Sequence, residues 1–285
     1  MVFTRSGWVL GLLVASAAWA QAVAPGADVE QVWLDPAGQG SLWVGTGRTL
    51  AAQAFRGGAS LFFTQGQLRS AGAGSALLTS RLGVQVFGAL GVTDWLEVSA
   101  NVPVFVYQEG ARALGVATAG MGNPWLTGKV SLWGAAAPVS VAVALGLGLP
   151  VGTAAAQGNG GLEVLPRVQL GTRLADWQVG AELGFLYRPL VDFAQVTGQP
   201  GDRVGAQVYL AGAITSVSTA GARGELSMRL FAPLSGGAVG VEGLVGARWQ
   251  VGSMELFGAV GPGFFGEPTT PSVRAYFGAA FANAR

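Results

Sequence analysis

Along residues 177–188 the chain alternates between bulky apolar positions and small or polar ones. Trp177, Val179, Ala181, Leu183, Phe185 and Tyr187 share one parity; Gln178, Gly180, Glu182, Gly184, Leu186 and Arg188 share the other. A period of two predicts a β-strand, because successive side chains of a strand point to opposite faces. Residues 96–106 repeat the pattern, with Leu96, Val98, Ala100, Val102, Val104 and Val106 against Glu97, Ser99, Asn101, Pro103 and Phe105. In 222–232, Leu226, Met228 and Leu230 oppose Arg223, Glu225, Ser227 and Arg229. The pattern predicts about twelve strands, near 55–65, 79–90, 95–106, 124–133, 139–149, 162–174, 177–188, 203–214, 222–232, 239–250, 254–262 and 272–282. These lengths suit tilted membrane strands of about 9–11 residues.

The links between strands also alternate. Gly91 to Asp94, Ala135 to Pro138, Ala175-Asp176, Ser216 to Gly221 and Gly252-Ser253 are short. Gln108 to Gly122, Val151 to Gly161, Pro189 to Asp202 and Phe264 to Pro271 are longer, whereas Ser235 to Ala238 is short at a long-link position. Short turns at one rim and long loops at the other predict an all-β fold, an antiparallel up-and-down transmembrane barrel of outer-membrane type.

A helical membrane protein does not fit. The uncharged stretch between Lys129 and Glu163 is interrupted by Pro138 and Pro150, and Val139, Val141, Val143, Leu145, Leu147 and Leu149 alternate through it. Nor does a soluble sandwich fit, since its polar face should be dense in lysine and glutamate. Charged residues are 11% of this chain, against about 25% in soluble domains, and Lys129 is the lone lysine. The polar faces are mostly Gly, Ala and Ser with single charges, which suits an enclosed lumen, while the bulky faces suit lipid.

The first residues read as an export signal: Arg5, an apolar run from Trp8 to Val14, then Ala18-Trp19-Ala20 as a cleavage site. Three regions are therefore expected: a signal peptide at 1–20; an N-terminal periplasmic lead, plug or extra strand at 21–54, which includes Trp33 and Trp43; and the barrel at 55–285. Loss of Arg5 leaves 15 cationic side chains against 15 acidic ones, which gives no electrostatic case for nucleic acid.

The chain has no His and no Cys. Imidazole bases, thiol nucleophiles and thiolate metal sites are absent, so no enzymatic activity, metal or cofactor is expected. Gly261 to Gly266 satisfies G-x-G-x-x-G, but no helical pattern follows to receive a pyrophosphate. Gly128-Lys129 lacks the rest of a phosphate-binding loop. What remains is a set of charges on the parity opposite the apolar face: Glu97, Lys129, Glu163, Arg167, Arg173, Glu182, Arg188, Arg223, Glu225, Arg229, Glu242, Arg248, Glu255 and Arg274. Charges facing lipid at mid-depth would cost several kcal/mol each, so these are expected to line the lumen. They serve either as a mutual ionic network or as a selectivity lining. Trp177, Tyr187 and Trp249 are expected as interfacial aromatics; Trp95, Trp125 and Trp133 fall on the polar parity unless a bulge shifts the phase.

Three stretches carry a family resemblance: Gly91-Val92-Thr93-Asp94-Trp95-Leu96-Glu97-Val98 followed by Pro103-Val104, then Gly120 to Lys129, then Leu149-Pro150-Val151-Gly152-Thr153. They resemble OmpA-like N-terminal outer-membrane barrels of myxobacterial type, and are similar to the transporter-like barrels of the MetA-pathway phenol-degradation family. Asn123 stands where those families carry Asp, and Val151 where they carry Thr. The resemblance implies the outer membrane of a Gram-negative bacterium, outer-membrane lipid and the barrel-assembly machinery as partners, and a small channel or transporter-like pore for a small-molecule solute. A closed structural barrel is the alternative. The chain stops four residues after Phe281, so no cell-wall-binding domain is expected to follow, and its last residue is Arg285 rather than an aromatic.

Overall fold

A strand surrounded by lipid needs backbone partners on both edges, because no water is there to replace them. The computed structural model satisfies that need by closing the sheet on itself. It describes residues 29–30, 32–69, 76–110, 118–133, 137–153, 161–193, 203–216, 221–265 and 269–283; the expected signal peptide at 1–20 lies outside them. Twelve long strands form the wall: β1 (Phe55–Arg69), β2 (Ala76–Gly91), β3 (Leu96–Gly110), β4 (Trp125–Trp133), β5 (Val139–Gly148), β6 (Glu163–Leu174), β7 (Trp177–Leu186), β8 (Gln207–Ser216), β9 (Ala222–Pro233), β10 (Gly240–Val251), β11 (Met254–Phe265) and β12 (Val273–Asn283). Each pairs antiparallel with the next, and β1 pairs with both β2 and β12, so that Leu61 faces Val84 on one side and Phe277 on the other. The architecture is the all-β closed barrel that the alternation predicts.

The short turns gather at one rim, where Phe55 opposes Asn283. Two of them use left-handed backbone, at Ala175 (φ 50°) and Gly252 (φ 61°), which reverses the chain in two residues. The strand expected at 203–214 begins at Gln207, because Arg203–Val204 pairs with Val191–Asp192 in a separate two-residue ladder. A bulge between Ser131 and Trp133 shifts the phase of β4 and turns Trp133 outward. Trp125, before that bulge, stays buried on the inner face, while Trp95 is exposed.

The outer face is bulky, apolar and uncovered. Leu183, Val245 and Phe277 are 52%, 62% and 63% exposed. An apolar surface this continuous is stable only against lipid. The packed core therefore lies inside the barrel, where it contains an element the alternation did not foretell.

Residues 32–54, together with Val29 and Glu30, run through the lumen without any strand and largely buried, exposed only at 51–53. Of the alternatives for 21–54, the described residues form no extra strand and pack inside the wall as a plug would. The physical reason is width: about eight strands enclose a space that side chains can fill, and twelve strands with small residues such as Gly171 and Gly180 on the inner face leave room for a further length of backbone. Leu42, Trp43 and Val44 of this inner segment pack with Phe62, Phe105, Tyr209, Phe231, Leu244 and Tyr276 of the wall in one core cluster.

Candidate functional site

Backbone that is buried without regular structure has no ladder to satisfy its N–H and C=O groups, and each orphan is costly. In this barrel the wall's polar side chains supply those partners. At its start the inner segment lies high on β1: Gln67 Nε2 donates to the Val29 carbonyl at 2.9 Å, and Glu30 pairs with Arg274 at 2.5 Å. It then descends. The Tyr276 hydroxyl donates to the Val32 carbonyl, Trp33 packs on Trp125 with ring centroids 4.9 Å apart, and Asp35 sits 4.0 Å from Lys129.

Near the short-turn rim the segment reverses. Asp35 N–H donates to the Leu42 carbonyl (2.6 Å) and Gly38 N–H to the Asp35 carbonyl (3.0 Å). Arginines hold this turn: Arg56 donates to the Pro36 carbonyl (2.7 Å), and Arg248 donates to the carbonyls of Gly38 and Gly40. On the return path Glu225 accepts from the Ser41 hydroxyl and from Leu42 N–H, and Arg229 donates to the Trp43 carbonyl. Glu182 accepts from Gly45 N–H at 3.1 Å, and the Ser140 hydroxyl donates to the Thr46 carbonyl at 2.6 Å. Leu50 N–H donates to Glu97 at 2.9 Å and Ala52 N–H to Asp94 at 2.9 Å as the segment leaves toward β1.

The charges placed by alternation thus fall into four groups. Glu97, Glu182, Glu225, Arg229, Arg248 and Arg274 touch the inner segment directly; so does Lys129, through Asp35, while it also pairs with Glu97 at 2.9 Å. Arg167, Glu242 and Glu255 stand behind them: Arg167 and Arg229 flank Glu182 at 3.9 and 3.8 Å, Glu242 pairs with Arg274, and Glu255 pairs with Arg56 at 2.7 Å and Arg248 at 3.7 Å. Glu163 and Arg188 are buried but serve wall and loop: Glu163 accepts from Asn123, and Arg188 donates to the Gly205 carbonyl and to Gln207. Arg173 and Arg223 belong to neither the clamps nor the buried lining. Both are exposed at the short-turn rim, with Arg173 donating to the Ala175 carbonyl at 3.3 Å. Trp177, Tyr187 and Trp249 are all exposed on the outer face.

Two buried arginines escape the sequence reading. Arg56 holds the Pro36 carbonyl, and Arg81 stacks over Phe105 at 4.1 Å while donating to Gln67 and Gln108. Arg81 alternates with Leu82, Val84 and Val86, so parity alone places it inward. Tyr209 alternates with Val208, Leu210 and Ile214 in the same way; its hydroxyl donates to Glu182 at 2.5 Å and its ring lies 4.8 Å below Arg229.

Contact between segment and wall is close. Voids between them hold about 20 Å³ beside Trp33, Asn101 and Tyr276 and about 10 Å³ beside Trp43 and Ser227, room for one water at most. Gly47 shows the tightness: its φ is +73°, and a Cβ there would stand 2.7 Å from the Ser140 carbonyl oxygen. Valine at this position meets both a forbidden backbone region and a backbone wall, a cost of order 1–3 kcal/mol. Gly47→Val is therefore expected to unseat the inner segment while leaving the wall closed. Limited proteolysis should then cut within 32–54 in the variant and not in the parent; equal resistance of both would contradict the packing described.

No known protein-family pattern matches the chain, and no curated protein matches it. Solved structures do. An outer-membrane channel from Pseudomonas putida F1 superposes with a TM-score of 0.65 at 13% identity, covering 83% of this chain and 97% of that one. KdgM porin superposes with a TM-score of 0.52 at 8% identity, covering 80% and 99%. KdgM porin in complex with disordered oligogalacturonate gives 0.53 at 8% identity, covering 80% and 99%. At these identities the likeness is one of fold, and the fold is that of outer-membrane β-barrel channels.

Proposed function

We propose that the protein is a channel for small solutes in the outer membrane of a Gram-negative bacterium, closed by its own inner segment and opened when that segment shifts. The observation that carries this reading is how the segment is held: through hydrogen bonds and ion pairs from side chains to an irregular backbone, with no strand pairing to the wall. Such contacts exchange for water one by one, whereas a strand built into the barrel cannot leave without opening the sheet. The barrel neighbours, a channel and a porin, support the same reading, as do the turn motifs that resemble those of OmpA-like and MetA-pathway barrels. Residues 1–20 then serve as the export signal, the barrel-assembly machinery inserts the chain, and the protein is not an enzyme.

A permanently closed structural barrel is the second reading, favoured by the aromatic packing around Trp43. A reversible lock separates the two. Gly180 lies against the segment, where a Cβ would stand 2.8 Å from Thr46 Cγ2 and 3.7 Å from its Cα, so Thr46→Cys with Gly180→Cys sets two thiols at bonding distance in a chain otherwise free of cysteine. In planar bilayers the oxidised protein is expected to be silent and the reduced protein to conduct. Silence in both states would favour the structural barrel.

A further inference from the structure

The wall's charges are unequally divided between inside and outside, and this names a class of solute; the inference rests on the channel reading. Over the whole chain the formal charge is only +1. Among the described residues, ten cationic side chains lie on the inward parity of the wall: the eight that the alternation places there, together with Arg56 and Arg81. Six carboxylates share that parity, at Glu97, Glu163, Glu182, Glu225, Glu242 and Glu255. Overall neutrality is restored in turns, loops and the inner segment itself.

The segment supplies part of the missing negative charge, beside two cations that each also pair with a wall carboxylate. Glu30 lies against Arg274, and Asp35 lies near Lys129. When the segment shifts, those two carboxylates leave with it, as does Arg48, and the inward parity of the wall, its short-turn mouth included, keeps ten cations against six anions. At the short-turn mouth Arg173 and Arg223 lie on the inward parity, while the carboxylates of that rim, Asp94 and Asp176, lie in the turns themselves. Arg223 stands directly opposite Arg248 in the register of β9 and β10, so the two guanidinium groups share one side of the sheet. Arg173 opposes Gln178, which is buried on the inner face. Neither Arg173 nor Arg223 has a carboxylate within 4.0 Å among the described residues.

A charge surplus in a narrow passage with low-dielectric walls outweighs charge elsewhere on the molecule in setting which ions enter. We propose that the open lumen passes small anions in preference to cations, that Arg173 and Arg223 form the selecting ring at the short-turn mouth, and that Glu30 and Asp35 are tethered anions holding part of the path when it is shut.

The test uses the full-length Thr46→Cys/Gly180→Cys protein, reduced, in a planar bilayer with a tenfold KCl gradient. The reversal potential is expected on the chloride side of zero. Arg173→Gln with Arg223→Gln should lower the chloride-to-potassium permeability ratio several-fold, and Arg173→Glu with Arg223→Glu should move it further in the same direction. Circular dichroism of the purified proteins checks that the barrel has formed in each. Conductance with a reversal potential at zero or on the potassium side would overturn the anion proposal while leaving the channel reading intact, and so would a ratio unmoved by either pair of substitutions. Absence of conductance with the lock open would instead remove the channel reading and this inference with it.

Discussion

Replacing Glu182 by leucine should lower the unfolding free energy by about 3–5 kcal/mol, the range for removing one partner from a buried ionic cluster. Glu182 is 1% exposed and stands at the middle of β7. It accepts from the Tyr209 hydroxyl, the Gln169 amide and Gly45 N–H, and two guanidinium groups flank it. Leucine leaves Arg167 and Arg229 without their shared carboxylate and strands the Gly45 donor. Glu182→Gln keeps the shape and one acceptor, so its loss should be the smaller of the two. Urea titration of the refolded protein in lipid vesicles measures both. A loss under about 1 kcal/mol for leucine would mean that water already reaches this cluster and that the inner segment is not seated on it, since exposed pairs contribute only that much.

The next residue tests the opposite face. Leu183 is exposed between Leu210 on β8 and Val168 on β6, both exposed as well, near the middle of the wall. Leu183→Arg is expected to cost about 2–4 kcal/mol in a bilayer, the figure for a lipid-facing arginine at the midplane. Val251→Arg, beside the Gly252 turn, should cost about 0–1 kcal/mol because its charge reaches the interface. The same titration, run on both variants, reads the depth dependence. Equal costs would place the hydrocarbon elsewhere than around this belt.

The wall was legible in the sequence because its rule is local. Each strand repeats with a period of two, and residues 177–188 can be assigned to faces without knowing any other part of the fold. Where that rule is broken by a single inserted residue, as at Trp133, the face is lost until the partner strand is known. The path of the inner segment, left open between a lead, a plug and an extra strand, was not legible for a different reason. Its hydrogen-bond partners are distant in sequence, with Ser41 and Glu225 separated by 184 positions, so nothing periodic marks it. One trace was present nonetheless. Gly171 and Gly180 are paired across β6 and β7 on the inner face, and a Cβ at Gly171 would lie 2.2 Å from the Thr46 carbonyl oxygen. Small residues that read as the lining of a narrow lumen are instead the seat for backbone. The charges were placed by parity, but their use was not: parity gives a direction, and only the segment's path shows that Glu225 and Arg248 act on peptide groups as well as on each other.

The distribution of those partners around the wall bears on how the molecule assembles. The inner segment precedes β1 in the chain, yet the groups that hold it sit on β1, β3, β4, β5, β7, β9, β10 and β12. They come together as a set only after β12 has paired with β1 and the circle is complete. Contacts of such long sequence separation form late, since the chain entropy of bringing their ends together must be met first. Contact order therefore predicts that the segment, although synthesised before the wall, is ordered together with or after barrel closure rather than ahead of it.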